Sequence, residues 1–333
     1  MDRLQLQLGR TPLAHTLQPN RCVVLDTNAY RRLARGRLPA QARTKGIGIR
    51  AHDQRQNVQA LAHPLVIVEL LAHLSDLTDP ARDDCRASVI ALWEHCATDL
   101  GGRRQLAILE DPEAQLAVAL YGRCPIPNHR FVENLAHTAR LVGETDEPDV
   151  LMQLQDTLTS CADTVNSIEK RFVDDMMRFV VRGFDPKAEN WDAIKQRPDL
   201  LDTVLTYLDS EGALVDLARA NVRLARVIAD EDVLTPVTDD EIQRVLQAFA
   251  CHLELYRRIT RKIVATGCDV SKRKNRNWIW DLQIAFALGG YSVRSGLGID
   301  LVTGDQDIAE AGRAAGFANR VLTFDDYSAR LRN

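Results

Sequence analysis

Four acids in this chain stand where a carboxylate is either a helix cap or a metal ligand: Asp26, Glu69, Asp281 and Asp305. Asp26 ends the apolar run Val23-Val24-Leu25 and opens Asp26-Thr27-Asn28. Such a run reads as a buried parallel strand, and open α/β sheets place their chemistry at the C-terminal ends of their strands. Asp305 repeats that setting in Leu301-Val302-Thr303-Gly304-Asp305-Gln306-Asp307. Asp281 lies between Trp280 and Leu282 in a strongly apolar helix, where an unpaired buried carboxylate is costly. Glu69 follows Val66-Ile67-Val68. Each acid alone has an ordinary reading. Asp, Thr and Asn are good N-caps, a Glu in a first helical turn suits the macrodipole, and Asp307 is a better-placed cap than Asp305. Brought together, four carboxylates raise one another's pKa values unless a cation joins them. Hard oxygen ligands suit Mg²⁺ or Mn²⁺, and the chemistry such a pocket supports is hydrolysis of a phosphodiester by water.

The elements that must position these acids fall into three stretches. Residues 1–76 and 271–333 carry the strand-and-helix pattern, and residues 77–270 read as a large all-helical insertion. The first 20 residues show no period and are expected to form an arm or edge element. Ala29–Ala34 is expected to be a helix, and the basic, Gly/Pro-punctuated Arg35–Asn57 a loop. Pro64–Leu74 reads as a strand running into a helix, with Glu69 near the join. From Pro80 to Gly267 nearly every segment reads as amphipathic helix, with breaks at Gly101-Gly102, Pro125–Pro127, Gly183–Pro186, Pro198 and Pro236. Leu151, Leu154, Leu158, Cys161, Val165, Ile168 and Phe172 alternate spacings of three and four, the stripe of one long helix packed lengthwise on another. A matching stripe runs through Ile242, Leu246, Phe249, Leu253 and Tyr256, opened by a Thr238/Glu241 capping box. The two are expected to pair. After residue 270 the pattern gives a helix over Trp278–Leu288 stopped by Gly289-Gly290, a strand over 298–303, a helix over Asp307–Ala315 and a strand over Arg320–Thr323.

The order strand-Asp-x-Asn, Glu69, helical Asp281 and strand-Thr-x-Asp resembles that of the PIN-domain nucleases. It is carried by Val24-Leu25-Asp26-Thr27-Asn28, Val66-Ile67-Val68-Glu69-Leu70, Trp280-Asp281-Leu282-Gln283-Ile284-Ala285 and Leu301–Asp307. The resemblance covers residues 20–76 and 277–330, and Glu69 and Asp281 are separated by far more chain than a compact PIN domain needs. It implies a PIN-like three-layer α/β/α fold with a parallel sheet, interrupted by the insertion. It implies a pocket for Mg²⁺ or Mn²⁺ made by Asp26, Glu69, Asp281 and Asp305, with Asp307 as an optional fifth acid and Asn28 and Thr303 as polar supports. The activity it implies is endoribonuclease, often as the toxin of a toxin–antitoxin pair, with an antitoxin or a second copy as partner.

Local charge suits a phosphate backbone. Arg257, Arg258, Arg261, Lys262, Lys272, Arg273, Lys274 and Arg276 lead into Asp281, with Trp278 and Trp280 able to stack on bases, and Arg31, Arg32, Arg35 and Arg37 follow Asp26. A basic run is as often only a solvated face. The 333-residue chain has a formal net charge of −4, so its nucleic-acid signal is local and not global. Apolar residues at 45% and charged ones at 26% are those of a globular protein. The seven scattered cysteines lack zinc spacing and read as reduced core residues. With no signal-length apolar core at the N-terminus and no membrane-spanning run, a cytoplasmic address is expected. Two readings stand beside endoribonuclease: a structure-specific DNA nuclease, and a non-catalytic PIN-like scaffold that binds RNA or protein through its helices.

Overall fold

A computed structural model describes residues 19–124, 129–145, 147, 149–289 and 296–331. Most of the expected N-terminal arm, the Pro125–Pro127 break and Gly290 lie outside the described residues. The chain forms an α/β fold around a four-stranded sheet of order β2-β1-β5-β6. Its strands are β1 (Arg21–Leu25), β2 (Val58–Ala60), β5 (Gly298–Val302) and β6 (Val321–Leu322), all parallel. Every residue of Cys22–Leu25 and Ile299–Val302 is buried, so both faces of the central strands are covered, as a parallel sheet requires. A second, antiparallel pair joins β3 (Ala97–Leu100) to β4 (Arg103–Leu106).

The helices begin with α1 (Thr27–Ala34), α2 (Pro39–Arg55), α3 (Pro64–Ala72) and α4 (Arg82–Cys96). They continue with α5 (Pro112–Tyr121), α6 (His129–Glu144), α7 (Asp149–Gln153), α8 (Gln155–Met176), α9 (Arg182–Phe184), α10 (Pro198–Leu208) and α11 (Glu211–Ala229). The last are α12 (Asp239–Ala248), α13 (Ala250–Thr266), α14 (Arg273–Arg276), α15 (Trp278–Ala285), α16 (Gln306–Ala314) and α17 (Phe324–Arg330). Among the described residues no helix is long and apolar enough to cross a membrane. Cys22, Cys85, Cys96, Cys161 and Cys251 are buried, as expected of core residues, whereas Cys124 and Cys268 are half-buried.

Several expectations are corrected. The expected loop Arg35–Asn57 is largely helix α2. Pro39 at its first position and the Gln41 side chain, which accepts from Leu38 N–H at 3.0 Å, start it. Its glycines misled because they have a packing use: a Cβ on Gly46 would lie 2.6 Å from the Ala91 carbonyl oxygen of α4. Pro64–Ala72 is helix throughout, so Glu69 sits mid-helix and not at a strand join. A continuous apolar run does not separate buried strand from buried helix, and the true strand is the short β2 before it. The stretch 77–270 is not all helix, because Gly101 and Gly102 with φ of 63° and 78° turn β3 into β4. The two heptad stripes are each interrupted, at Leu154 and at Phe249, and they do not pair. Helix α8 packs on α3, while α12 packs on α11. The Thr238/Glu241 capping box forms as expected.

Helices from within 77–270 lie directly on the sheet's own helices: α4 on α1, α2 and α3, and α13 on α15 and α16. A buried polar network fastens part of this frame. His95 Nε2 lies 2.8 Å from Asp53 Oδ2, Tyr327 donates to the same oxygen at 2.7 Å, and the Tyr30 hydroxyl is 3.0 Å from His95 Nδ1. Burial opposes charge on His95, but the bonds to Asp53 and Cys96 outweigh it and hold its pKa up at about 9. The network ties α1, α2, α4 and α17 together.

The close approach of α2 to α4 makes a paired prediction. Gly46→Ala should cost about 1–3 kcal/mol in urea unfolding through overpacking. Gly48→Ala, two residues along the same helix with open space around it, should gain about 0.5–1 kcal/mol. Equal effects of the two substitutions would contradict the α2–α4 packing.

Candidate active site

Pairing of β1 with β5 sets Leu25 opposite Val302, and Asp26 N–H donates to the Val302 carbonyl at 3.0 Å. Asp26 and Thr303 therefore leave the sheet side by side at its C-terminal edge. Asp26 caps α1, its Oδ1 accepting from Ala29 N–H at 2.5 Å. Its carboxylate also accepts from the Thr303 side chain and the Gly304 amide. Thr303 is a hub, since its Oγ1 in turn accepts from Asp305 N–H at 3.0 Å. Asp305 caps α16 through Ile308 N–H at 2.9 Å. The capping reading of Asp26 is thus correct, whereas α16 is capped by Asp305 and not, as expected, by Asp307, which falls inside its first turn; capping aims both Asp26 and Asp305 at one edge of the sheet.

Glu69 reaches the same neighbourhood from α3. Thr27 donates its hydroxyl to Glu69 Oε2 at 2.5 Å, joining the first residue of α1 to the middle of α3. Asp281 comes from the first turn of α15, is half-buried, and makes no hydrogen bond or ion pair with described residues.

The electrostatics couple these acids to one another. Burial is the largest cause raising Asp26, followed by opposing hydrogen bonds from Thr303, Ala29 and Gly304, with Asp305 adding to the rise. Burial likewise lifts Glu69 against Thr27, His73 and Arg31, while Asp26 pushes it further up. The Asp281 carboxyl is driven up to about 8, first by burial and then by the charges of Asp305, Asp26, Glu69 and Asp307. The Asp281 carboxyl thus feels the charge of each of the other four acids named from the sequence.

Hard carboxylate oxygens in mutual repulsion are a donor set of the kind a divalent cation relieves. The set is not closed, however: among the described residues no group of three or more His, Cys, Asp or Glu side chains is arranged to hold a metal ion. Asp307 lies instead 3.4 Å from Lys262 Nζ, which also sits 5.2 Å over the Trp278 ring. Asn28 is exposed on α1, beside the site.

The basic stretch is less available than its sequence suggests. Arg257 and Arg258 bind Glu254, and Arg258 also binds Glu310 at 3.0 Å. Arg261 pairs with Asp209 at 2.8 Å, Arg276 with Glu169 at 3.7 Å and Arg32 with Asp325 at 2.7 Å. Lys272 and Lys274 are exposed, and the Arg273 side chain lies outside the described residues. Trp280 donates to Glu169 at 3.3 Å and Trp278 packs on the core, so neither ring is a free stacking platform. Exposed ion pairs are weak, about 0–1 kcal/mol, and phosphates can compete for their arginines.

Two contributors were not legible in the sequence. Thr27 and the Gly304 amide both hold acids, but Thr27's partner is fixed only by the packing of α3 beside α1. Comparison of the chain with family models, curated proteins and solved structures gives no match.

The raised Asp281 pKa sets a pH-dependent prediction. An acid ionising at about 8 when folded and 3.8 when unfolded stabilises the fold fully below pH 3.8, and that stability is lost as pH rises toward 8. In EDTA, Asp281→Asn should leave Tm unchanged at pH 4 and raise it at pH 8, by roughly 1–2 °C for each kcal/mol relieved in a chain of this length. The same Tm difference at both pH values would contradict the shared field.

Proposed function

We propose that the chain is a metal-dependent nuclease of PIN-like three-layer α/β/α type, cutting RNA in preference to DNA. The observation that carries this is the half-buried carboxyl of Asp281, without a partner among the described residues and raised by desolvation and then by four other acids drawn from three separate parts of the chain. A buried charge cluster without compensation is expensive to keep, and its use lies in what it attracts. Asp26, Glu69, Asp281 and Asp305 are the residues that would hold Mg²⁺ or Mn²⁺. A bound divalent ion would supply Lewis acidity toward water and the scissile phosphate.

The chain's own residues prepare that state. Thr27 orients Glu69 and draws its pKa down, favouring the carboxylate. Thr303 and the Gly304 amide do the same for Asp26. Asp281, with both oxygens uncommitted to described residues, holds a proton at neutral pH and is the acid able to exchange it for a cation. The guanidinium of half-buried Arg31 also lowers the Glu69 pKa, favouring its ionised form.

The open arrangement of the acids favours a second reading, a PIN-like scaffold that binds nucleic acid without cutting it. Cleavage decides between them. Single-stranded RNA, single-stranded DNA and duplex DNA are incubated with Mn²⁺ or Mg²⁺ and wild-type, Asp281→Asn or Thr27→Val protein. The nuclease reading expects cutting of RNA that EDTA and Asp281→Asn both abolish. Thr27→Val should slow it roughly 10–100-fold, the usual cost of removing a group that orients a ligand. Wild-type protein that binds but leaves every substrate intact would establish the scaffold instead.

A further inference from the structure

One face of α2 carries cations and no acid, and plays no part in the acidic pocket. Gln41, Thr44, Lys45, Gly48, His52 and Arg55 share a single helical stripe, at steps of three and four residues. With Arg37 before the helix, Ile49 and Leu331, they line a groove of about 450 Å³. Three of its lining residues are cations and none is an acid, in a chain whose net charge is −4. Lys45 and Arg55 are exposed and their side chains make no ion pair or hydrogen bond with described residues, and the Arg37 side chain bonds, among the described residues, to the Leu33 carbonyl through its Nε. This contrasts with the basic stretch before Asp281, whose arginines are largely neutralised by Glu254, Asp209, Glu310 and Glu169.

The opposite face of α2 explains why the stripe is held rigidly. Ala42, Gly46 and Asp53 are buried, Gly46 lies against α4, and Asp53 is locked by His95 and Tyr327. The cations are therefore presented on a fixed helix. Gly48 leaves the middle of the stripe open, with nothing within 4 Å of where its Cβ would be. Lys45 and Arg55 stand about 15 Å apart along the axis at 1.5 Å per residue, which is about four stacked nucleotides at 3.4 Å each. Thr44 and Gln41 add neutral polar groups, and no base-sized aromatic lines the groove. The recognition on offer is of a charged backbone and not of sequence.

We infer that this groove is a docking site for the phosphate backbone of single-stranded nucleic acid, separate from the acidic pocket. It extends the nucleic-acid side of the proposed function and is independent of whether that pocket cleaves. The test is fluorescence anisotropy of a labelled single-stranded RNA of about 12 nucleotides, in EDTA, over a range of salt concentrations. Lys45→Ala/Arg55→Ala, exposed substitutions favourable to a helix, should weaken binding roughly tenfold at low salt. They should also flatten the log–log salt slope by about 1.4, at about 0.7 for each phosphate contact in single strands. The charge-matched Arg182→Ala/Lys187→Ala, at exposed positions elsewhere, should bind as wild type does. Unchanged affinity and slope in the groove variant would overturn the inference. So would displacement of the RNA by polyglutamate as readily as by unlabelled RNA, which would mark a protein-docking face. Groove-dependent binding in a protein that cuts nothing would uphold the groove while removing the nuclease reading.

Discussion

The parallel pairing of β1 with β5 is the constraint on which the site depends. It joins strands from opposite ends of the chain in a fixed register, Arg21 opposite Gly298 through Leu25 opposite Val302. That register alone brings the Asp26 turn next to the Thr303-Gly304-Asp305 turn. Long-range parallel pairing is entropically costly to reach, and here it is secured by burial of both strands and by the helices that follow each of them. The ladder continues one residue past the strand end, through Asp26 N–H to Val302, so the first catalytic candidate is held by the backbone before any side chain acts.

On that base the side chains form two kinds of contact with different purposes. Caps and hydroxyls fix three of the acids: Ala29, Thr303 and Gly304 on Asp26, Ile308 on Asp305, Thr27 on Glu69. Asp281 is left without such help and carries the repulsion of the rest. Elsewhere the same chain neutralises its buried charges thoroughly, as where Arg226 makes several bonds to Glu241, also bonded by Tyr121, or where Arg43 and Arg104 flank Glu94. The contrast sets the acidic edge apart from the structural ion pairs of the fold.

Much of this was legible in the sequence where a local rule decides. The strand ending at Asp26, the Thr303-x-Asp305 turn, the Thr238/Glu241 box and the helix around Asp281 follow from short patterns whose physics is local. What the sequence concealed depended on tertiary packing. Gly46 and Gly48 look like loop residues, yet Gly46 is what lets α2 lie on α4. The apolar run before Glu69 is equally good as strand or helix, and its burial on α8 and α4 makes it helix. Thr27 is silent in the sequence because its partner is 42 residues away on another helix. The basic stretch before Asp281 looked free because several acids that pair with it come from elsewhere, Asp209 just after α10, Glu310 on α16 and Glu169 on α8, while Glu254 is a local partner on α13 itself.

The central claim is that the acids form one electrostatic unit that a divalent cation relieves. It is tested most directly by isothermal titration of Mn²⁺ into the protein near pH 7, in buffers of differing ionisation enthalpy that reveal the number of protons released. Binding accompanied by release of roughly one proton, both lost in Asp281→Asn, is the result predicted. Absence of binding at millimolar Mn²⁺, or binding that releases no proton and survives Asp281→Asn, would contradict it.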